Sequence, residues 1–515
     1  MSLARDLTSV GSATLASRLL GFCRDMGIAA VLGAGPLSDA YFAALQIPNL
    51  FRRLLAEGAL NAAFVPMWML VRDERGDARA FAENVFGCIL LGLSALAILC
   101  AVFAPLVMHV LAPGFAHDGE RAQDAVAFLR LSVPYVAIAG IVAVAAAVLN
   151  AQGRVAAAAF SIVVFNVVLL AALVVVLILQ AGASRLAGDI LSASIVIAGL
   201  AQFVLVAAAM RALPNVPRQL RVRLSPAVRR FFINALPGVV AAGAPQLKLI
   251  IGAMVASPSQ AAVSWLYYAN RLYELPLGVV SVAVASVLAP RIAASVLVGE
   301  RSTLAAVQSR AFEVACGLGL PSAVAFTVLA YPIAGGLFER GAFGASDTAA
   351  VAAALAAMSA GLPGHILEKV LGAVSFGHQD TRTPMWAALA GVASATLLAL
   401  VLFPRFAQVG VAAAIAVSGW VGASILVVIL WRRGWLALER VAGRRILAIL
   451  LATGAMGVAI MGSNTLVANL FDAAGSSVLR LTILALLVLL GLVVYLAVLH
   501  ALNVVRLREL IAGMR

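Results

Sequence analysis

The sequence predicts an all-α polytopic membrane protein, and three observations predict it. First, 63% of its 515 residues are hydrophobic and only 11% are charged, with a mean hydropathy of +1.06. Soluble domains carry about 25% charge and about 45–50% apolar residues. Second, the apolar residues come in long runs such as Val163–Leu179 and Leu481–Leu499, which suit spanning helices and not the short alternating strands of a barrel. Third, the basic side chains concentrate in every second loop. A water-soluble domain and a disordered chain are both excluded.

A span needs about 20 largely apolar residues. That window places about fourteen helices, at 8–32, 38–70, 81–111, 126–149, 155–179, 187–210, 231–256, 262–289, 311–334, 348–376, 385–403, 409–431, 446–468 and 478–500. The first carries Arg18, Arg24 and Asp25, which no cleavable signal would hold in its apolar region. GAGPLSD (Gly33–Asp39) reads as a tight turn into the second span rather than a phosphate cradle. Loops after the even-numbered spans, with both tails, hold most of the arginines, including Arg72, Arg154, Arg211, Arg221, Arg223, Arg229, Arg230, Arg382, Arg433 and Arg445. The alternate loops hold few, among them Arg121, Arg185, Arg340 and Arg480. The basic loops and both termini are therefore expected in the cytoplasm of a bacterial inner membrane. On this reading the net charge of +14 reflects topology and not nucleic-acid binding.

An internal repeat is expected as well. A shift of 224 residues lays Tyr41–Pro66 over Trp265–Pro290 and Arg24 over Lys248, and NAQGR (Asn150–Arg154) resembles GHQDTR (Gly377–Arg382). Two six-helix lobes of like orientation would be pseudo-symmetric about an axis along the membrane normal. The expected division is an N-lobe at 1–212, a basic cytoplasmic linker at 213–230, a C-lobe at 231–433, and two C-terminal helices with a tail at 434–515. Cys23, Cys88, Cys100 and Cys316 lie in apolar stretches without CxxC spacing and read as small buried hydrophobes.

Charges inside spans are expensive, roughly 2.5–3.5 kcal/mol each on insertion scales. At about 100° per residue, Thr14, Ser17, Arg18, Gly21, Arg24 and Asp25 share one face of the first span. Asp39, Gln46, Asn49, Arg53, Glu57 and Asn61 share a face of the second, with Arg52 at its edge. Arg271 and Glu274 lie on the eighth span, Lys248 on the seventh, and His365, Glu368 and Lys369 on the tenth. Single pairs could simply fix helix packing. Four charged faces spread over both halves point instead to a cation-lined cavity for an anionic cargo, phosphate or pyrophosphate, with carboxylate as the competitor. The acids Asp25, Asp39 and Glu57 could hold arginines in place or couple protons. No P-loop, GxSxG, HExxH or metal-ligand spacing is present, so neither an enzyme, a metal nor a cofactor is expected.

Four blocks carry a resemblance: SRLLGFCRD (Ser17–Asp25), Gly33–Pro66, YYANRLYELPLGV (Tyr267–Val279) and EKVLGAVSFGHQDTRTP (Glu368–Pro384). In order and along essentially the whole chain, they resemble the MurJ/MviN family of lipid II flippases. The resemblance implies a fourteen-span transporter whose last two helices border a lipid-facing groove. It would move an undecaprenyl-pyrophosphate-linked disaccharide-pentapeptide from the cytoplasmic to the periplasmic leaflet for peptidoglycan synthesis. Ser17, Arg18, Arg24, Asp25, Asp39, Arg52, Glu57 and Arg271 match family positions, while Asn270 stands where many relatives carry Asp. Expected partners are lipid II, membrane lipids and cell-wall synthesis proteins, and the expected energy source is the membrane potential or an ion gradient. The competing readings are a sibling exporter of another lipid-linked saccharide or an amphipathic drug, and a non-transporting cell-wall scaffold.

Overall fold

The computed structural model describes residues 3–56, 59–73, 77–211, 213, 216–217, 219–298, 301–472 and 476–504. Among them every regular element is a helix. The chain divides into two compact units, Met1–Ser264 with Gly341–Phe343, and Trp265–Arg340 with Gly344–Arg515.

The first unit holds α1 (Leu3–Leu32), α2 (Pro36–Ala44), α3 (Gln46–Ala56), α4 (Ala59–Asp73), α5 (Ala78–Val102), α6 (Ala104–Leu111), α7 (Gly119–Ser132), α8 (Tyr135–Ala151), α9 (Val155–Ile178), α10 (Arg185–Met210) and α11 (Pro226–Ala256). Helix starts follow local chemistry. Asp77, Asp118, Ser184 and Ser225 each accept a backbone N–H three residues on and cap α5, α7, α10 and α11. Gly33, at φ +66°, ends α1 in the left-handed conformation that glycine tolerates. The expected single span at 38–70 is instead α2, α3 and α4. Pro48 offers no N–H to the Ala44 carbonyl, so α2 stops there. Helix α1 packs along α9, and α9 in turn along α10. Phe64, Trp68, Phe81, Val144, Leu149 and Phe231 fill a core under α4, α5, α8 and α11, where Phe64 and Phe81 stack at 5.5 Å. By packing, α11 belongs with this unit.

The second unit takes most of α12 (Ala262–Ala283), then α13 (Ala289–Val298), α14 (Arg301–Val328), α15 (Ala330–Phe338), α16 (Ala345–Ser359), α17 (Leu362–Gly377), α18 (Arg382–Arg432), α19 (Arg440–Asp472) and α20 (Ser477–Ala501). Helix α18 contains both spans expected at 385–403 and 409–431, broken at Ala407 (φ 45°, ψ −131°) beyond Pro404. Helices α17 and α18 pack together, and α14 joins α17 to the α19–α20 pair.

Eight helices among the described residues are long and apolar enough to cross a membrane, and α16 with α17 passes only when the pair, bent by 43°, is counted as one segment. The first and eighth expected spans fall short of that criterion because Arg18, Arg24 and Asp25 on one and Asn270, Arg271 and Glu274 on the other lower their apolarity, and the second is divided among the short helices α2, α3 and α4. The cysteines correct an expectation. All four are free thiols, but Cys23 is exposed and the others are only half-buried. In a membrane helix an outward face meets lipid, where a small hydrophobe needs no protein cover.

Candidate functional site

In the first unit, three of the expected residues meet on α1. The Arg24 guanidinium donates to Asp25 Oδ1 from Nη2 at 2.8 Å and from Nε at 3.1 Å. From its other side, Nη1 donates to Asn166 Oδ1 on α9 at 3.1 Å. The Asn166 amide nitrogen donates in turn to the Ser17 carbonyl (3.1 Å), the Ser17 hydroxyl (3.3 Å) and the Ile162 carbonyl (3.2 Å). These donations orient the amide so that its oxygen must face Arg24. The side chains of Arg24 and Asp25 are 13% and 1% exposed, so the pair is withdrawn from solvent and the guanidinium is aimed rather than mobile.

Sequence reasoning misses Asn166, which lies inside the long apolar run Val163–Leu179. The signal was present: Asn166 is a lone amide in the most apolar stretch of α9, and buried amides require partners. Arg52 of α3 lies over the ring of Phe165, the neighbouring α9 residue, at 6.0 Å. One segment of α9 thus receives cations from two helices. Arg53 is half-buried on α3, Arg18 is exposed on α1 and Lys248 is buried on α11. Glu57 lies outside the described residues.

Asp39 does something different from lining this cluster. It is fully buried and accepts from the backbone N–H groups of Ala261 and Ser264, both at 2.8 Å, and from the Ser264 hydroxyl at 2.7 Å. It therefore serves as an N-cap for the start of α12, supplied from a distant part of the chain. Arg121 stands beside it at 3.4 Å, donates to the Ser257 carbonyl at 3.2 Å and covers the Phe115 ring at 4.2 Å. By its loop position Arg121 reads as an ordinary cation. It is 3% exposed.

In the second unit Arg271 pairs with Glu274 at 3.2 Å and lies over Tyr267 at 5.8 Å. Asn270 donates to the other Glu274 oxygen at 3.1 Å. The carboxylate that Asn270 cannot provide thus comes from the next turn of the same helix. His365 Nδ1 is 2.7 Å from the Tyr273 hydroxyl. Gly419 and Gly422 of α18 leave the room that His365 and Glu368 occupy, because a Cβ at either would come within 3.0 Å of those side chains. Glu368 is half-buried there, and Lys369 is exposed. No cluster with metal-ligand geometry occurs among the described residues.

A family model described as "Lipid II flippase MurJ" matches residues 28–483. The chain belongs to the MurJ family. A probable lipid II flippase MurJ of Rhizobium tropici is 37% identical over 96% of this chain and 93% of its own length. That of Rhizobium meliloti (strain 1021) is 40% identical over 84% and 82%. Among solved structures, an inward closed conformation of the lipid II flippase MurJ superposes with a TM-score of 0.78, at 23% identity, covering 98% of this chain and 99% of that one. An inward-facing MATE-family transporter of the MOP superfamily shares the fold at a TM-score of 0.67 and 16% identity. Membership of the MurJ family and the apolar helices make the chain an integral membrane protein.

Proposed function

We propose that this chain flips lipid II, the undecaprenyl-pyrophosphoryl disaccharide-pentapeptide, from the cytoplasmic to the periplasmic leaflet by alternating access of a cation-lined cavity. One observation carries the reading: the match to lipid II flippases runs the length of the chain and is not confined to a shared module. The physical problem fits the residues. A pyrophosphate headgroup cannot cross hydrocarbon unaided, whereas its tail need not leave it. An aimed guanidinium such as Arg24 supplies the planar positive charge that suits phosphate oxygens.

The basic loops and both termini face the cytoplasm in this reading, as the arginine distribution supports. The membrane potential supplies the bias, since one charge crossing it is worth about 2.3 kcal/mol per 100 mV. An empty, net-positive carrier is drawn toward the cytoplasmic side, and a carrier neutralised by pyrophosphate is not. The test is depletion of the protein in cells followed by a leaflet assay for lipid II. Accumulation in the cytoplasmic leaflet is expected, with rescue by the unaltered chain and none by Arg24→Ala. An unchanged leaflet distribution after depletion overturns the proposal.

A further inference from the structure

The segment joining α10 to α11 is not a slack connector. Residues 219–224, which form no regular element, lie against α5. Glu83 of α5, 1% exposed, receives the Gln219 backbone N–H at 3.3 Å and the Arg221 guanidinium at 3.2 Å. One turn on, a Cβ at Gly87 would stand 2.2 Å from the Arg221 carbonyl oxygen, so only glycine admits the segment there.

Helical spacing shows what this segment covers. Leu91, Ile98 and Val102 form the exposed apolar stripe of α5, and Gly87 and Glu83 continue that stripe toward the helix start. The segment therefore occupies a place that lipid occupies farther along the helix. At about 1.5 Å per residue, Gly87 is roughly 9 Å beyond Phe81, where the span is expected to begin. Amphipathic segments rest in the headgroup and acyl boundary at roughly 5–10 Å depth.

Its outer surface is amphipathic. Leu220, Val222 and Leu224 are 62%, 55% and 74% exposed and alternate with the arginines at 221 and 223, which are exposed too. Arg229 and Arg230 follow, exposed in the first turns of α11. Cations at a helix N-terminus oppose its macrodipole, so helix stability does not account for them. Three exposed aliphatic side chains beside uncompensated positive charge suit an interface that is apolar below and anionic above.

We infer that residues 219–230 form an interfacial strap that binds the headgroups of anionic phospholipids in the cytoplasmic leaflet, an inference that rests on the cytoplasmic placement proposed above. Arg223, Arg229 and Arg230 contact the phosphates, Leu220, Val222 and Leu224 enter the acyl boundary, and Arg221 stays with Glu83.

The test uses the full chain in detergent, titrated with phosphatidylglycerol, phosphatidylcholine or inorganic phosphate while thermal unfolding is followed. Phosphatidylglycerol is expected to raise the midpoint by about 3 °C or more, and the other two additives to leave it unchanged. The triple variant Arg223→Gln, Arg229→Gln, Arg230→Gln should need at least roughly tenfold more phosphatidylglycerol for the same shift. An equal response from the triple variant, or from inorganic phosphate, overturns the strap. A fluorophore on Leu224→Cys, in a background with the native cysteines replaced, decides the matter if the triple variant fails to fold. Quenching by acyl-brominated phosphatidylglycerol in nanodiscs and protection from iodide are expected, and the reverse pattern overturns the strap. Labelling of that cysteine only from the periplasmic side overturns the leaflet named here, and the topology with it, independently of the quenching result.

Discussion

Arg24 and Arg271 are built from the same parts, an arginine, a carboxylate and an asparagine, yet they are held in different ways. In the first unit the asparagine comes from another helix: Asn166 of α9 bonds Arg24 and the Ser17 carbonyl of α1 together. In the second unit all three residues lie on α12 within a little more than one turn, and Asn270 reaches Glu274 rather than the arginine. Exposure follows the same division, with the Arg24 and Asp25 side chains at 13% and 1% and those of Arg271 and Glu274 at 20% and 25%. The first cluster therefore joins two helices and orients a charge at once. In the second, Arg271 and Asn270 each bond to Glu274 along a single helix.

That difference sets the sizes of the expected effects. The largest belongs to Asp25→Ala, which leaves the Arg24 charge withdrawn from water without its carboxylate. Transport should be lost, and stability should fall by about 3–5 kcal/mol. Glu274→Ala should impair transport while costing about 1 kcal/mol or less, as expected of a partly exposed pair. Denaturation of the two variants in one detergent measures the contrast, and equal losses would break it.

Asn166→Leu comes next. It strips a hydrogen bond from Arg24 and a donor from two carbonyls, so about 1–3 kcal/mol is expected. In a double-mutant cycle with Arg24→Ala the losses should fall short of additive by at least about 0.5 kcal/mol. Additive losses would mean that Asn166 only packs. Arg271→Ala should abolish lipid II transport with an unfolding midpoint within about 2 °C of the parent, and full complementation by that variant would remove Arg271 from the site.

At the lysines, transport should respond more than stability does. Lys→Arg should retain more activity than Lys→Met at Lys248 and Lys369 if charge is what these positions supply, and equal activities would assign them to packing.

The smallest effect is in the loop before α18. Partial burial pushes the Asp380 carboxyl upward, but hydrogen bonds from the Thr383 side chain and backbone, from Arg433 and from the Arg382 backbone outweigh it and hold the group at about 2. Its folded value is thus below the ordinary 3.8. The stabilisation is complete above the ordinary value and fades as pH falls through about 2. Between pH 5 and pH 2 the parent should lose slightly more thermal stability than Asp380→Asn does, and parallel curves would refute the assignment.

How much of this was legible in the sequence can be read from individual residues. Ser17, Arg24 and Asp25 were visible because helical spacing puts them on one side of α1, and Arg271 with Glu274 because they are three apart on one helix. Asn166 is hard to single out because its partners on α1 lie about 140–150 positions away. Arg121 was misjudged for the same reason, since loop position suggested solvent while Asp39 and Phe115 enclose it. Helical spacing puts Asp39 on the polar face of its span, but its use as a cap for α12 depends on a contact across more than 220 positions.

The sequence alone determined the membrane class, the charged helices and the family resemblance, because each follows from composition or from spacing along one helix. Partition into lipid depends on mean hydropathy, and the faces of a helix on a fixed angular period. Only the tertiary structure decided which helix completes each polar group. A buried amide or guanidinium in apolar surroundings must find partners wherever packing brings them, and packing brings together residues far apart in the chain. Arg24 could be recognised as a charge in a membrane from the sequence. That α9 aims it, through an asparagine hidden in an apolar run, could be seen only once the helices were packed.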